Sequence, residues 1–214
     1  MKYTTYILIF CSICFLSNFK SSKVYEFDYI IEYKSLLSGK EDQSVFYLTN
    51  SKDNEYWAII RSIDKKTYTI NFYKHNSIRL FTKLNKKDFY KAETILLERP
   101  KHNYKRNYKA NKKDYFKVLS DTILDQTPIS RYVFKSIDVH EQKLDVEYFV
   151  QPNTSFHLPI LVIGEAYKKW EKEKNIPNGI FKEMYFLNSD KTIVEAHYKL
   201  VGYQAYKKQI KVKF

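Results

Sequence analysis

The sequence predicts a mainly β protein: a long, curved antiparallel meander of about ten strands, half-barrel-like, with one helix near the C-terminus. Three observations carry this. Apolar and polar residues alternate at period two through most of the chain, turn-forming clusters recur at roughly ten-residue intervals, and only one segment has helical spacing. A sheet of that length curls as strand twist accumulates, which leaves the helix a place against its concave face.

The clearest alternation is a hairpin over residues 131–151 (RYVFKSIDVHEQKLDVEYFVQ). Tyr132 and Phe134 share one face on the way out, and Leu144, Val146, Tyr148 and Val150 share it on the way back, with mainly charged residues opposite. Upstream, residues 24–35 (VYEFDYIIEYKS) place Tyr25, Phe27, Tyr29, Ile31 and Tyr33 at the same parity, so one face is expected to hold them all. Strands are further expected over 44–49, 55–63, 67–74 and 77–82, separated by Asn, Asp, Ser and Lys turns. Residues 89–98 (FYKAETILLE) mix helix formers with a β-like end and are read as strand. Short extended segments follow over 115–119 and 121–124.

Residues 160–174 (ILVIGEAYKKWEKEK) form the expected helix, with Ile163, Tyr167 and Trp170 on one face and Lys/Glu pairs on the other. Three closing strands are expected over 180–188, 192–201 and 205–214, the last two joined by a turn at Gly202-Tyr203-Gln204.

The first residues read as an address. After Lys2, residues 7–16 (ILIFCSICFL) are unbroken apolar. As a helix they reach roughly 15 Å, half of a bilayer core, so a secretory signal peptide over residues 1–22 is expected, and a single β-rich domain over 23–214. Neither Cys11 nor Cys14 follows a small residue, so no lipobox is evident and the protein is expected to be secreted or periplasmic. The chain's two cysteines both lie in this segment, which takes disulfides, thiol catalysis and thiolate metal sites out of the mature chain.

The net charge is +13, and removing Lys2 and Lys20 leaves 35 basic against 24 acidic residues, or +11. Such a balance favours anionic partners. The densest run is RPKHNYKRNYKANKK, where Arg99, Lys101, Lys105, Arg106, Lys109, Lys112 and Lys113, with nearby Lys117, surround Tyr104 and Tyr108. It reads first as an exposed loop and otherwise suits an anionic lipid or glycan surface of the envelope. The secretory address and the absence of any recognition-module signature argue against nucleic acid.

Catalytic and cofactor signals are absent. His75, His102, His140, His157 and His197 show no metal-ligand spacing, and four scattered glycines build no phosphate loop. Glu26, Asp28 and Glu32 share a face where carboxylates two residues apart could pair as acid and base or bind Ca²⁺, but a solvent face opposite strand lysines is the favoured reading. A non-enzymatic protein without cofactor or metal is expected. An enzyme would show itself by His157 or His197 beside a carboxylate in a cleft.

The IPNGIFKEMYF stretch over residues 176–186, followed by two closing strands, resembles the half-barrel of the periplasmic lipoprotein carriers (the LolA/LolB-like fold), and the overall composition is similar to that of secreted Bacteroidota β-proteins. The carrier resemblance implies an apolar concave face under a helix that holds acyl chains. With the high aromatic content, 17% of the chain, it points to an apolar or amphipathic, lipid-like ligand in a curved sheet. The expected walls are Tyr132, Phe134, Val146 and Tyr148, with Tyr25, Phe27 and Tyr29 as neighbours and Trp170 from the helix. For each single residue, sealed core is the safer reading. The alternative is a cell-envelope structural or interaction protein docking through residues 99–117.

Overall fold

A computed structural model of the chain describes residues 21–36, 43–75, 78–98, 113–136, 145–188 and 194–213. Residues 1–20 of the expected signal peptide and most of the basic run lie outside these residues. Eleven strands form one large open sheet: β1 (Ser22–Leu36), β2 (Gln43–Asn50), β3 (Asp53–Ser62), β4 (Thr67–Lys74), β5 (Ile78–Asn85), β6 (Thr94–Glu98), β7 (Tyr115–Leu124), β8 (Thr127–Lys135), β9 (Asp145–Val150), β10 (Phe181–Leu187) and β11 (Val194–Lys213). Among the described residues there are two helices, α1 (Lys86–Lys91) and α2 (Gly164–Glu173). The strand order is β5-β4-β3-β2-β1-β11-β10-β9-β8-β7, with β6 added in parallel to β11. Two antiparallel meanders thus meet along the β1–β11 ladder.

The sheet curls until its distant strands share a core. Trp57 and Ile59 of β3 bury in the same cluster as Phe134 of β8 and Tyr148 of β9, together with Tyr167 and Trp170 of α2. This is the concave face. On the opposite face of β2–β5 a second core forms, in which Leu48, Ile60, Ile70 and Phe72 meet Ile95 and Leu97 of β6, Ile210 and Val212 of β11, and Phe89 of α1.

The strand joining the two cores departs from simple alternation. Phe27 packs edge-on to Tyr56 and Phe72 in the second core, whereas Tyr29 meets Phe156 and His157 on the concave side. The ladder shifts register here: β11 fits Ala205 to Lys208 against the shorter Tyr29-to-Phe27 step of β1. A bulge of this kind carries a strand from one packed layer to another. Asp28 lies at the switch, its carboxylate accepting the N–H and hydroxyl of Ser51 at 2.7 and 2.6 Å.

Two further expectations are corrected. Residues 89–98 do not form one strand: Lys86–Lys91 is helical and Thr94–Glu98 is β, because the helix buries Phe89 while the β-like end pairs with β11. Residues 202–204 do not turn either. β11 runs through them, since Gly202 and Tyr203 stay paired with Glu32 and Ile31 of β1.

Lys208 secures the second core. It is 4% exposed, and its ammonium donates to the carbonyls of Phe89, at 2.8 Å, and Ala92, where α1 ends. No helix among the described residues is long and apolar enough to cross a membrane.

Candidate functional site

The concave face is covered by residues 151–180, an excursion between the neighbouring strands β9 and β10. Its base is closed by the Gln151 N–H donating to the Ile180 carbonyl at 2.8 Å. The Thr154 hydroxyl donates to the Gln151 carbonyl and accepts from the Ile180 N–H, at 2.7 and 2.9 Å. From this base the chain crosses the concave face to the β2–β3 turn. There the Leu158 N–H reaches the Ser51 carbonyl at 3.0 Å and the Asn54 amide donates to the Pro159 carbonyl at 2.8 Å. The excursion is a cap, tied at both ends.

His157 is part of the distal tie. Its Nδ1 lies 2.6 Å from the Leu158 carbonyl, so that nitrogen carries the proton and Nε2 accepts from the Thr49 hydroxyl at 2.9 Å. Burial holds its pKa below the ordinary imidazole value, against the Leu158 bond and Asp28. The residue is structural, and its partner is a hydroxyl rather than a carboxylate.

Helix α2 carries the cap back over the face. Ala166, Tyr167 and Trp170 bury at helical spacing, while Lys168–Glu171 and Lys169–Glu173 pair outside at 2.9 and 2.8 Å. The Trp170 Nε1–H donates to the Ile176 carbonyl at 3.1 Å, and the Lys174 ammonium lies 3.5 Å from the Trp170 ring centroid. Tyr167 stacks on His75, which in turn lies against Trp57 with centroids 4.5 Å apart. Burial, with Lys168 nearby, pushes the His75 pKa down to about 3, so the ring is neutral at pH 7.

Phe134, Val146, Tyr148 and Trp170 are sealed in the concave core, none more than 3% exposed, with the cap's own Ile160 and Leu161 against the same cluster. Tyr132 is half-buried at the fringe, opposite Tyr148. Tyr29 lies on the concave side beside the cap, but Tyr25 and Phe27 do not join these walls. They belong to the second core: β1 changes face between Phe27 and Tyr29, where its ladder with β11 shifts register. Lys113 and Lys117 are exposed around the start of β7. Arg99, Lys101, Lys105, Arg106, Lys109 and Lys112 lie outside the described residues.

Beside the cap the concave face is only partly covered. Phe186 of β10 and Tyr198 of β11 meet edge to face with centroids 5.8 Å apart, and Leu200 continues the line, all half-buried against the core. Farther along β11, Tyr203 approaches Phe156 of the cap at 6.2 Å, each 39% exposed. Sequence reasoning missed this shelf. Its signal was the alternation of Tyr198 and Leu200, visible but shared with every other strand.

A polar cluster occupies β10 and β11. Glu183, 5% exposed, accepts from the Tyr185 hydroxyl at 2.5 Å and from His197 Nε2 at 3.2 Å through Oε2, while Lys199 lies 3.8 Å from Oε1. Tyr185 and His197 stack at 4.0 Å. Burial and the Glu183 carboxylate push the Tyr185 phenol up, so it serves as a proton-bearing donor. His197 thus stands beside a carboxylate, but cross-strand register explains the grouping: Glu183 faces Lys199 and Tyr185 faces His197. Among the described residues no three His, Cys, Asp or Glu side chains converge to hold a metal.

No protein-family model matches the chain, and no curated protein matches it.

Proposed function

We propose that the protein holds an apolar or amphipathic, lipid-like ligand on the concave side of its sheet, along the shelf beside the cap, without catalysing a reaction. The observation that carries this reading is the line Phe186, Tyr198 and Leu200, continued by Tyr203. Apolar side chains there extend the sealed core into solvent instead of ending at it. An acyl chain laid along the line removes apolar surface from water at about 25 cal/mol per Å², while tyrosine hydroxyls face the polar end. The sealed walls at Phe134, Val146 and Tyr148 serve as the floor that keeps the shelf rigid. The apolar run at residues 7–16 supports a secreted or periplasmic setting for this role.

Native mass spectrometry of delipidated protein mixed with a long-chain fatty acid or a lysophospholipid tests the proposal. A one-to-one adduct that Leu200→Glu abolishes is expected. Absence of any adduct, or an adduct indifferent to Leu200→Glu, overturns it.

A further inference from the structure

We propose that the end of the sheet carrying the β3–β4 turn and α1 docks on the surface of an anionic phospholipid bilayer. The turn is built by Asp64, whose carboxylate accepts the N–H groups of Lys66 and Thr67, both at 2.7 Å. The Lys86 N–H then donates to the Lys66 carbonyl at 2.8 Å and fastens the start of α1 to the turn. Around this junction lies a surface hollow of about 390 Å³, lined by Lys65, Lys66, Asn85, Lys86, Lys87 and Asp88. Four lysines line it against the carboxylate of Asp88, and the Asp64 carboxylate of the turn, which interacts with Lys86, leaves the junction with a net positive charge.

Apolar groups stand at the same end. Ile63, which closes the turn by donating to the Thr67 carbonyl, is 51% exposed. Tyr90 of α1 is 60% exposed, and its hydroxyl lies 2.9 Å from that of Tyr68, whose ring carries Lys86 at 4.9 Å. Lysines on long stems around exposed aromatic and aliphatic side chains match a headgroup layer, where ammonium groups meet phosphates and tyrosine sits at the boundary. The hollow is open and its donors are flexible, which suits an extended anionic surface better than a single small anion. The surplus of +13 over the chain favours the same partner. The surface shares no residue with the shelf, so it stands or falls separately from the ligand-holding reading.

The test is co-sedimentation of the purified chain with phosphatidylcholine vesicles, with and without about 30% phosphatidylglycerol, at low and high salt. Binding only to the anionic vesicles is expected, with release at high salt. Replacing Lys65, Lys66, Lys86 and Lys87 together by Gln should lower partitioning by about tenfold or more. An equal charge loss at Lys23, Lys117, Lys172 and Lys207 should lower it far less. No binding to anionic vesicles, or equal loss in the two variants, overturns the proposal. So does release by inorganic phosphate at constant ionic strength, which marks a small-anion pocket.

Discussion

The imidazole of His75, at the end of β4, stacks on the ring of Tyr167 in α2, with centroids 3.9 Å apart and planes 12° from parallel. This contact pins the cap to the N-terminal meander, while its base remains on β9 and β10. The two meanders are therefore joined twice, by the β1–β11 ladder and by a cap whose apolar face is shared between them.

Burial of His75 beneath the cap makes the fold sensitive to acid. His75 has its folded pKa lowered to about 3 and His157 is shifted in the same direction, so both resist protonation in the folded state. Their stabilisation is complete above the unfolded imidazole pKa near 6.5 and is lost as pH falls below it towards the folded value. For His75 the loss amounts to about 2–3 kcal/mol by pH ~4.5. Urea unfolding at pH 7.5, 6 and 4.5 checks this. His75→Phe, which keeps a neutral ring against Tyr167, should flatten the dependence, and an unchanged slope would refute the assignment.

Lys208→Met should cost about 2–4 kcal/mol, because it leaves a buried carbonyl and a half-buried one at the end of α1 without their donor. Hydrogen exchange should then quicken first in α1 and β6, the elements the ammonium secures, before β8 and β9 respond.

Gly179 closes the base of the cap at φ 156°, and a Cβ there would lie 2.7 Å from Val150 Cγ1 and 3.1 Å from Thr154 Oγ1. Gly179→Ala is expected to lower stability by about 1–3 kcal/mol through that overlap. Thermal unfolding measures the loss, and a variant as stable as the parent contradicts the packing described.

Trp170→Ala removes a nearly buried ring from the face shared by the cap and both meanders and should cost about 3–5 kcal/mol. Limited proteolysis of the folded variant should cut first within residues 151–180. Initial cutting elsewhere would show that the cap is held by other means.

Much of this architecture was legible in the chain. Thr67–Lys74 forms the expected strand, and the hairpin aligns Tyr132 with Tyr148 and Phe134 with Val146 as period two requires. What escaped were features set by long-range pairing. Parity cannot report the change of face between Phe27 and Tyr29, because it coincides with an irregularity in the pairing with β11, far along the chain. Gly202 reads as a turn locally, yet β1 holds it in a strand. The helix was visible from Tyr167 and Trp170, but its partner His75 lies just past the end of β4 with no local pattern to mark it. The shelf was hidden for the opposite reason: Tyr198 and Leu200 resemble every other strand pair until the cap leaves them half-covered.

The ligand-holding account is tested most directly by the two tryptophans, Trp57 and Trp170, which are both built into the concave core. Delipidated protein should be titrated with a lysophospholipid whose acyl chain carries a pyrene, an energy-transfer acceptor that quenches a sealed indole without touching it. The account predicts saturable, stoichiometric quenching that Leu200→Glu abolishes while the variant's unfolding curve matches the parent's. Fluorescence that stays constant through the titration, or quenching that persists undiminished in the variant, would contradict it.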